Sequence, residues 1–216
     1  MRVLKPMHRT ITRIGISFIL ASTAIIAVMA IPSAAQKSPS CPPIIASLLP
    51  KNGSIRGGSY NASGPMGMGS GSADLPFDHP CIKSEKYPAR ISIAITYYGG
   101  EMAEMLKMQG DAANEQTIQN AMDELKRSKR TPKREKLPGG EIVYVDYTTE
   151  CPAEGAAGQG TVNRPPIPNV KLTGVTRTAN VRLEVTLEGK ISTDQAKAAV
   201  AEVFENLKKA DFSKAK

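Results

Sequence analysis

The sequence predicts an α+β fold: a mostly antiparallel sheet of three or four strands covered by two helices, a two-layer sandwich. Three observations predict it. Residues 89–98 and 180–188 alternate apolar and polar side chains with a period of two, the pattern of strands with one buried face. Residues 192–209 carry an apolar stripe at helical spacing. Between these segments the periodicities run strand, helix, strand, weaker strand, strand, helix, with no internal repeat.

The first 35 residues stand apart from that fold. Arg2, Lys5, Arg9 and Arg13 make a basic start without an acid, the run from Ile14 to Ile31 is uncharged, and small Ser33 and Ala35 follow Pro32. That order is a secretory signal, with cleavage after Ala35 and a mature chain beginning at Gln36. An uncleaved membrane anchor is the alternative, since the apolar run is at the lower limit for a span. Against a lipid-anchored cysteine, Cys41 lies well beyond the apolar run and follows Ser-Pro-Ser rather than a small-residue lipobox. The expected location is periplasmic or extracellular, with membrane contact only through a retained signal or the protein's surface.

Removing the signal changes the charge reading. Its four bases bring the formal +8 down to +4, while residues 126–136 (KRSKRTPKREK) alone carry seven bases and one acid. The remaining mature chain is therefore slightly acidic, and the high isoelectric point describes one segment. Residues 36–80 are rich in Gly, Ser and Pro and read as a flexible N-terminal segment, apart from Ile44–Leu49, which is apolar enough for a docked turn of helix. Residues 81–212 then form the α+β domain.

Within it, Ile91, Ile93, Ile95 and Tyr97 alternate with Arg90, Ser92, Ala94 and Thr96, and Gly99-Gly100 ends the strand. Residues 101–127 have helical spacing, interrupted at Gly110-Asp111, so the pattern allows two helices or one with a kink. Residues 141–149 (EIVYVDYTT) form a second strand, in which Asp146 falls on the face of Ile142 and Tyr144. Residues 152–169 read as a Gly/Pro loop, 171–178 as a weak strand, and 180–188 as a strong one. On the last helix, Ser192 and Gln195 fit a capping box, ahead of a stripe of Ala196, Ala199, Val200, Val203, Phe204 and Leu207. The polar positions Arg90, Ser92, Thr96, Arg182, Glu184 and Thr186 are expected on the sheet's second face.

Three cysteines follow the signal. Strands 89–98 and 141–149 taken as antiparallel neighbours would bring Cys81 to Cys151, leaving Cys41 spare, although three pairings are formally open. A bridge of that span is worth about 4 kcal/mol on the chain-entropy model.

No residue set reaches the specificity of a catalytic signature, and no cofactor is implied. Tyr98-Gly99-Gly100-Glu101 lacks both the glycine spacing and the lysine of a phosphate loop. His79 beside Cys81 reads as a loop residue next to a structural cysteine. The basic segment, with Lys126, Arg127, Lys129, Arg130, Lys133, Arg134 and Lys136, reads as a helix end and loop suited to an anionic envelope component. Export and the absence of interleaved aromatics argue against nucleic acid. The alternative is a periplasmic Cu(I) protein using Met102, Met105 and Met108, with Met66 and Met68 in the N-terminal segment. Against it, the same helical spacing also suits a core stripe. The expected function is thus a non-catalytic binding or envelope-associated accessory protein.

Overall fold

Alternation continues well beyond the four predicted segments. The computed structural model describes residues 40–151 and 164–214; the expected signal and its cleavage point, and most of the 152–169 loop, lie outside the described residues. Helix α1 spans Pro43–Ala46, followed by strands β1 (Ser54–Ser63), β2 (Met66–Leu75) and β3 (Ala89–Tyr98). Helix α2 is Glu101–Arg127, and strands β4 (Lys133–Leu137), β5 (Gly140–Thr149), β6 (Ile167–Arg177) and β7 (Val181–Gly189) follow. Helix α3 is Thr193–Lys209, and a short 3-10 turn occupies Phe212–Lys214. The seven strands form one antiparallel sheet in the order β1-β2-β3-β7-β6-β5-β4. The fold is α+β as expected, but the sheet is larger than three or four strands.

The added strands correct two expectations. Residues 54–75, read as flexible, form the β1–β2 hairpin. Its turn is Gly64-Pro65, between the paired Ser63 and Met66. Gly64 has φ +58°, and Pro65 fixes a negative φ next to it, which leaves the II′ type of hairpin turn. Strand β2 alternates too, but with glycine at inward positions where a strand usually carries a large apolar side chain. Gly67, Gly69 and Gly71 share a face with Ala73 and Leu75, and Ile45 of α1 lies in the trough they leave. A methyl group at Gly69 would come within 2.7 Å of Ile45 Cδ1, and one at Gly71 would overlap Ile45 Cγ2. Ile45, Leu48 and Leu49 are buried there, so the apolar stretch after Cys41 docks as a turn of helix. Cys41 itself is a free, half-buried thiol packed near Gly58. The other correction is β4, five residues that take in the end of the basic segment, where a loop was expected.

A third correction concerns layers. Ile142 and Tyr144 of β5 belong to a core shared with Leu172, Leu183, Leu187, Val200 and Phe204, under α1 and α3. Val143 and Val145, on the opposite side of the same strand, pack with Val175 and with Ile118, Ala121 and Leu125 of α2. The two long helices therefore lie on opposite faces. Helix α2 is unbroken through Gly110, whose missing side chain leaves room for Arg177; a Cβ there would sit 3.0 Å from Arg177 Cδ. Arg177 in turn holds Asp111 at 2.7 and 2.9 Å. Helix α3 has the expected cap, with Ser192 Oγ accepting from the Gln195 N–H, and its whole predicted stripe is buried.

Cys81 and Cys151 are bonded, with a sequence separation of 70. The pairing is the expected one, but not for the expected reason. Strands β3 and β5 are antiparallel without being neighbours, since β7 and β6 lie between them. The start of β3 and the end of β5 nevertheless meet the same end of the sheet, and the flanking loops close the remaining gap. No described helix is long and apolar enough to cross a membrane.

The glycine trough gives a measurable consequence. Gly71→Ala should lower stability by about 1–3 kcal/mol through overpacking against Ile45. In an Ile45→Ala background the same change should cost much less, as read from paired urea denaturation curves.

Candidate functional site

The basic segment begins where α2 runs out. Ser128 closes the helix by donating from its hydroxyl to the Leu125 carbonyl at 2.6 Å. Lys129 has φ +59°, an uncommon left-handed conformation for a non-glycine residue, and it turns the chain back toward Pro132 and β4. Strand alternation then divides the cations. Arg134 and Lys136 pair with Val143 and Glu141 and point to the α2 side. Lys133 and Glu135 pair with Tyr144 and Ile142 and point to the α3 side.

Three of the seven cations are occupied within the molecule. Arg134 is clamped between two carboxylates: its Nη1 and Nη2 reach Glu115 at 2.9 and 2.6 Å, and its Nε and Nη2 reach Glu141 at 2.6 and 3.0 Å. These bonds hold its pKa above the already high guanidinium value and hold the Glu115 carboxyl below the ordinary carboxylate range. Lys133 Nζ reaches Asp146 at 2.7 and 2.9 Å. Lys126 lies 3.5 Å from Asp123 one turn earlier. Arg130 instead stacks on Tyr147, 3.4 Å from the ring centroid. Arg127, Lys129, Arg130 and Lys136 have no ion pair among the described residues.

A second cluster lies on the α3 side and was not legible beforehand. Tyr144 is buried, with Lys133 and Lys197 over its ring at 5.7 and 4.7 Å. Lys197 bonds Glu135 at 2.5 Å, and the Tyr144 hydroxyl donates to the same carboxylate at 3.4 Å. The Lys133 hydrogen bond, opposed by desolvation, holds the Asp146 carboxyl low, and the Lys197 bond does the same for Glu135. The one advance signal was Asp146 itself, a charge on the buried face of its strand. This cluster pins the short edge strand β4 to β5 and α3.

The second sheet face carries Arg90, Ser92, Thr96, Arg182, Glu184 and Thr186, as expected. Arg182 is roofed by α2, bonding Asn114 at 3.1 Å and Thr117 at 2.5 Å. The β1–β2–β3 part of this face is open to solvent. At one level across it runs a ladder of alternating charge: Arg56, Asp74, Arg90, Glu188, Lys171 and Glu124. Asp74, with 4 % of its side chain exposed, receives both arginines, Arg90 at 3.0 Å and Arg56 from the bulge between Ile55 and Gly57. Lys171 reaches Glu124 at 2.6 Å.

The remaining candidates are dispersed. Met105 and Met108 are 48 % and 79 % exposed and Met68 is 59 % exposed, so these methionines are not core. Among the described residues, no group of three His, Cys, Asp or Glu is placed to hold a metal. His79 is buried, stacks on Phe77 at 5.9 Å and accepts from the Cys81 N–H at 3.3 Å. Cys81 is spent in the disulfide and cannot act as a nucleophile. A cavity of about 150 Å³ lies between Asn52, Leu75, Pro76, Ile191, Gln195 and Glu202, too small for most substrates.

No family model matches the chain, and no curated protein matches it. Two solved structures are similar at a low level. A crystal structure of a Bacteroides thetaiotaomicron protein is 12 % identical with a TM-score of 0.31; the match covers 71 % of this chain and 41 % of that one. The extracellular domain of PknH from Mycobacterium tuberculosis is 12 % identical with a TM-score of 0.30, covering 80 % and 81 %. Likeness at this level assigns neither a fold family nor a role.

The ion pairs fix the sign of an acid effect. The Asp146 and Glu135 carboxyls have folded pKa values below their unfolded ones, so their pairs stabilise the fold above the ordinary carboxylate range, near pH 4. That stability is lost as pH falls from there through the lower folded values. Lys133→Met should flatten this acid limb in a series of urea curves; an acid limb as steep as the wild type's would uncouple the pair from folding.

Proposed function

We propose that this is an exported, non-catalytic binding module whose α2–β4 corner meets an anionic component of the cell envelope. The carrying observation is the division of the basic segment. Lys126, Lys133 and Arg134 are held by carboxylates of the same molecule, whereas Arg127, Lys129, Arg130 and Lys136 form no ion pair among the described residues, Arg127 feeling only the field of Glu124 on its own helix and Lys136 lying opposite a Glu141 already bound by Arg134. A disulfide in the folded domain fits an oxidising compartment, as does the hydrophobic leader. Anionic headgroups and acidic wall polymers supply the charge that this corner lacks.

Each cation near an anionic surface contributes about 1 kcal/mol at most, less as salt rises. Replacing Arg127, Lys129, Arg130 and Lys136 together by Ser should therefore reduce retention on anionic vesicles or wall polymer by at least about tenfold at low salt. Replacing Lys133 and Arg134 should chiefly lower stability. Retention unchanged in the fourfold variant, on vesicles and polymer alike, would remove this corner from the function.

Exposure of Met105 and Met108 favours a second reading, since thioethers outside the core are free to ligate Cu(I). Anaerobic Cu(I) titration should then find a site that Met102, Met105 and Met108→Leu abolishes. Binding no tighter than about micromolar would end that reading.

A further inference from the structure

An open antiparallel sheet has two edges, each with a row of backbone donors and acceptors lacking a neighbour. Here the edges are β4 and β1, and they are built differently. Strand β4 has five residues, is bracketed by Pro132 and Pro138, and carries Lys133, Arg134 and Lys136. Two such edges would repel each other. Strand β1 has ten residues and no proline. Its one charged residue, Arg56, sits at the bulge and is turned inward onto Asp74. From Gly57 to Ser63 (GGSYNAS) the edge is uncharged, and no hydrogen bond reaches its outer backbone from the described residues. The strand is also braced from behind, by α1 in the glycine trough and by Tyr60, whose ring lies 6.1 Å from that of Phe212.

We propose that β1 is a self-association edge, pairing antiparallel with β1 of a second copy about a two-fold axis perpendicular to the sheet. Such an axis keeps like faces on the same side, so it aligns residues of equal parity. Placed at Ser59, it sets Arg56 against Ala62 of the other copy; placed at Tyr60 or Asn61, it carries Arg56 past Ser63, where β1 ends in the Gly64-Pro65 turn. No like charges meet in any of these registers, and the exposed Ser59 and Asn61 align with one another or with their own copies. A foreign extended peptide would need side-chain pockets beside the edge for recognition. Apart from Tyr60, which turns toward Phe212, the side chains of this edge are small, and Ser59, Asn61, Ala62 and Ser63 are exposed, so backbone pairing with a matching strand is what the edge offers.

The test uses the exported chain with its disulfide formed. Sedimentation equilibrium from roughly 1 to 200 µM should show a reversible dimer. Amide exchange within 54–63 should slow as concentration rises, while the remaining strands stay unchanged. Ser59→Lys with Asn61→Lys, adding to β1 the guards that β4 has, should weaken the dimer by at least about tenfold without lowering the melting temperature. A chain monomeric over the whole range overturns the proposal. So does a dimer whose 54–63 exchange ignores concentration, or one that survives both lysines at unchanged affinity. A monomer carrying a different extended peptide on β1 would reassign the edge to another partner.

Discussion

The join between β3 and β7 is the constraint on which the rest of this structure depends. Ile91 faces Leu187, Ile93 faces Val185 and Ile95 faces Leu183, and all six are buried under the α1–α3 side. The two strands are about a hundred residues apart in the chain, whereas β1–β2, β4–β5 and β6–β7 are joined by short turns. Without this pairing there are two separate meanders, β1-β2-β3 and β4-β5-β6-β7, each with a raw edge. Closing so long a loop costs only slightly more entropy than closing a shorter one, but the rate penalty for non-local pairing is larger. The disulfide acts on the same problem, tying the segment before β3 to the end of β5. It joins the two halves covalently, independently of the β3–β7 pairing.

Large alternating side chains made β3, β5 and β7 readable from sequence, and the cap and stripe did the same for α3. The hairpin before them was unreadable because its inward-facing positions include Gly67, Gly69 and Gly71. Those residues add almost no hydrophobic signal, and their contribution is absence of volume, which has meaning only once Ile45 is known to fill it. Strand β4 was hidden by its own charge, since KREKL alternates in direction but not in hydrophobicity. Nothing in the periodicity of either long helix says which sheet face it covers, so both were placed on one side. The cysteine pairing was right because antiparallel direction alone brings the two loops to one end of the sheet.

The basic segment shows a different limit. Sequence displays cations well, and the i,i+3 pair of Asp123 and Lys126 with them, yet the other carboxylates that meet them come from the middle of a helix, Glu115, and from a neighbouring strand, Glu141 and Asp146. Linear spacing gives no warning of the first strand-to-helix clamp, on Arg134. Charge in this molecule is used mainly for construction: a ladder across the open sheet face, a clamp under α2, and a pair of lysines around Tyr144. At the α2–β4 corner, by contrast, Lys129, Arg130 and Lys136 form no ion pair among the described residues.

Because β4 and β1 bound opposite sides of a seven-stranded sheet, the cationic corner and the neutral edge are six strand spacings apart, about 29 Å. A molecule resting on a negatively charged surface by its α2–β4 corner would stand on end, with its strands stacked away from that surface and β1 uppermost. The two edges of the sheet are thus different ends of one molecule. Whatever β1 engages would be held one sheet-width clear of the layer that the basic end touches.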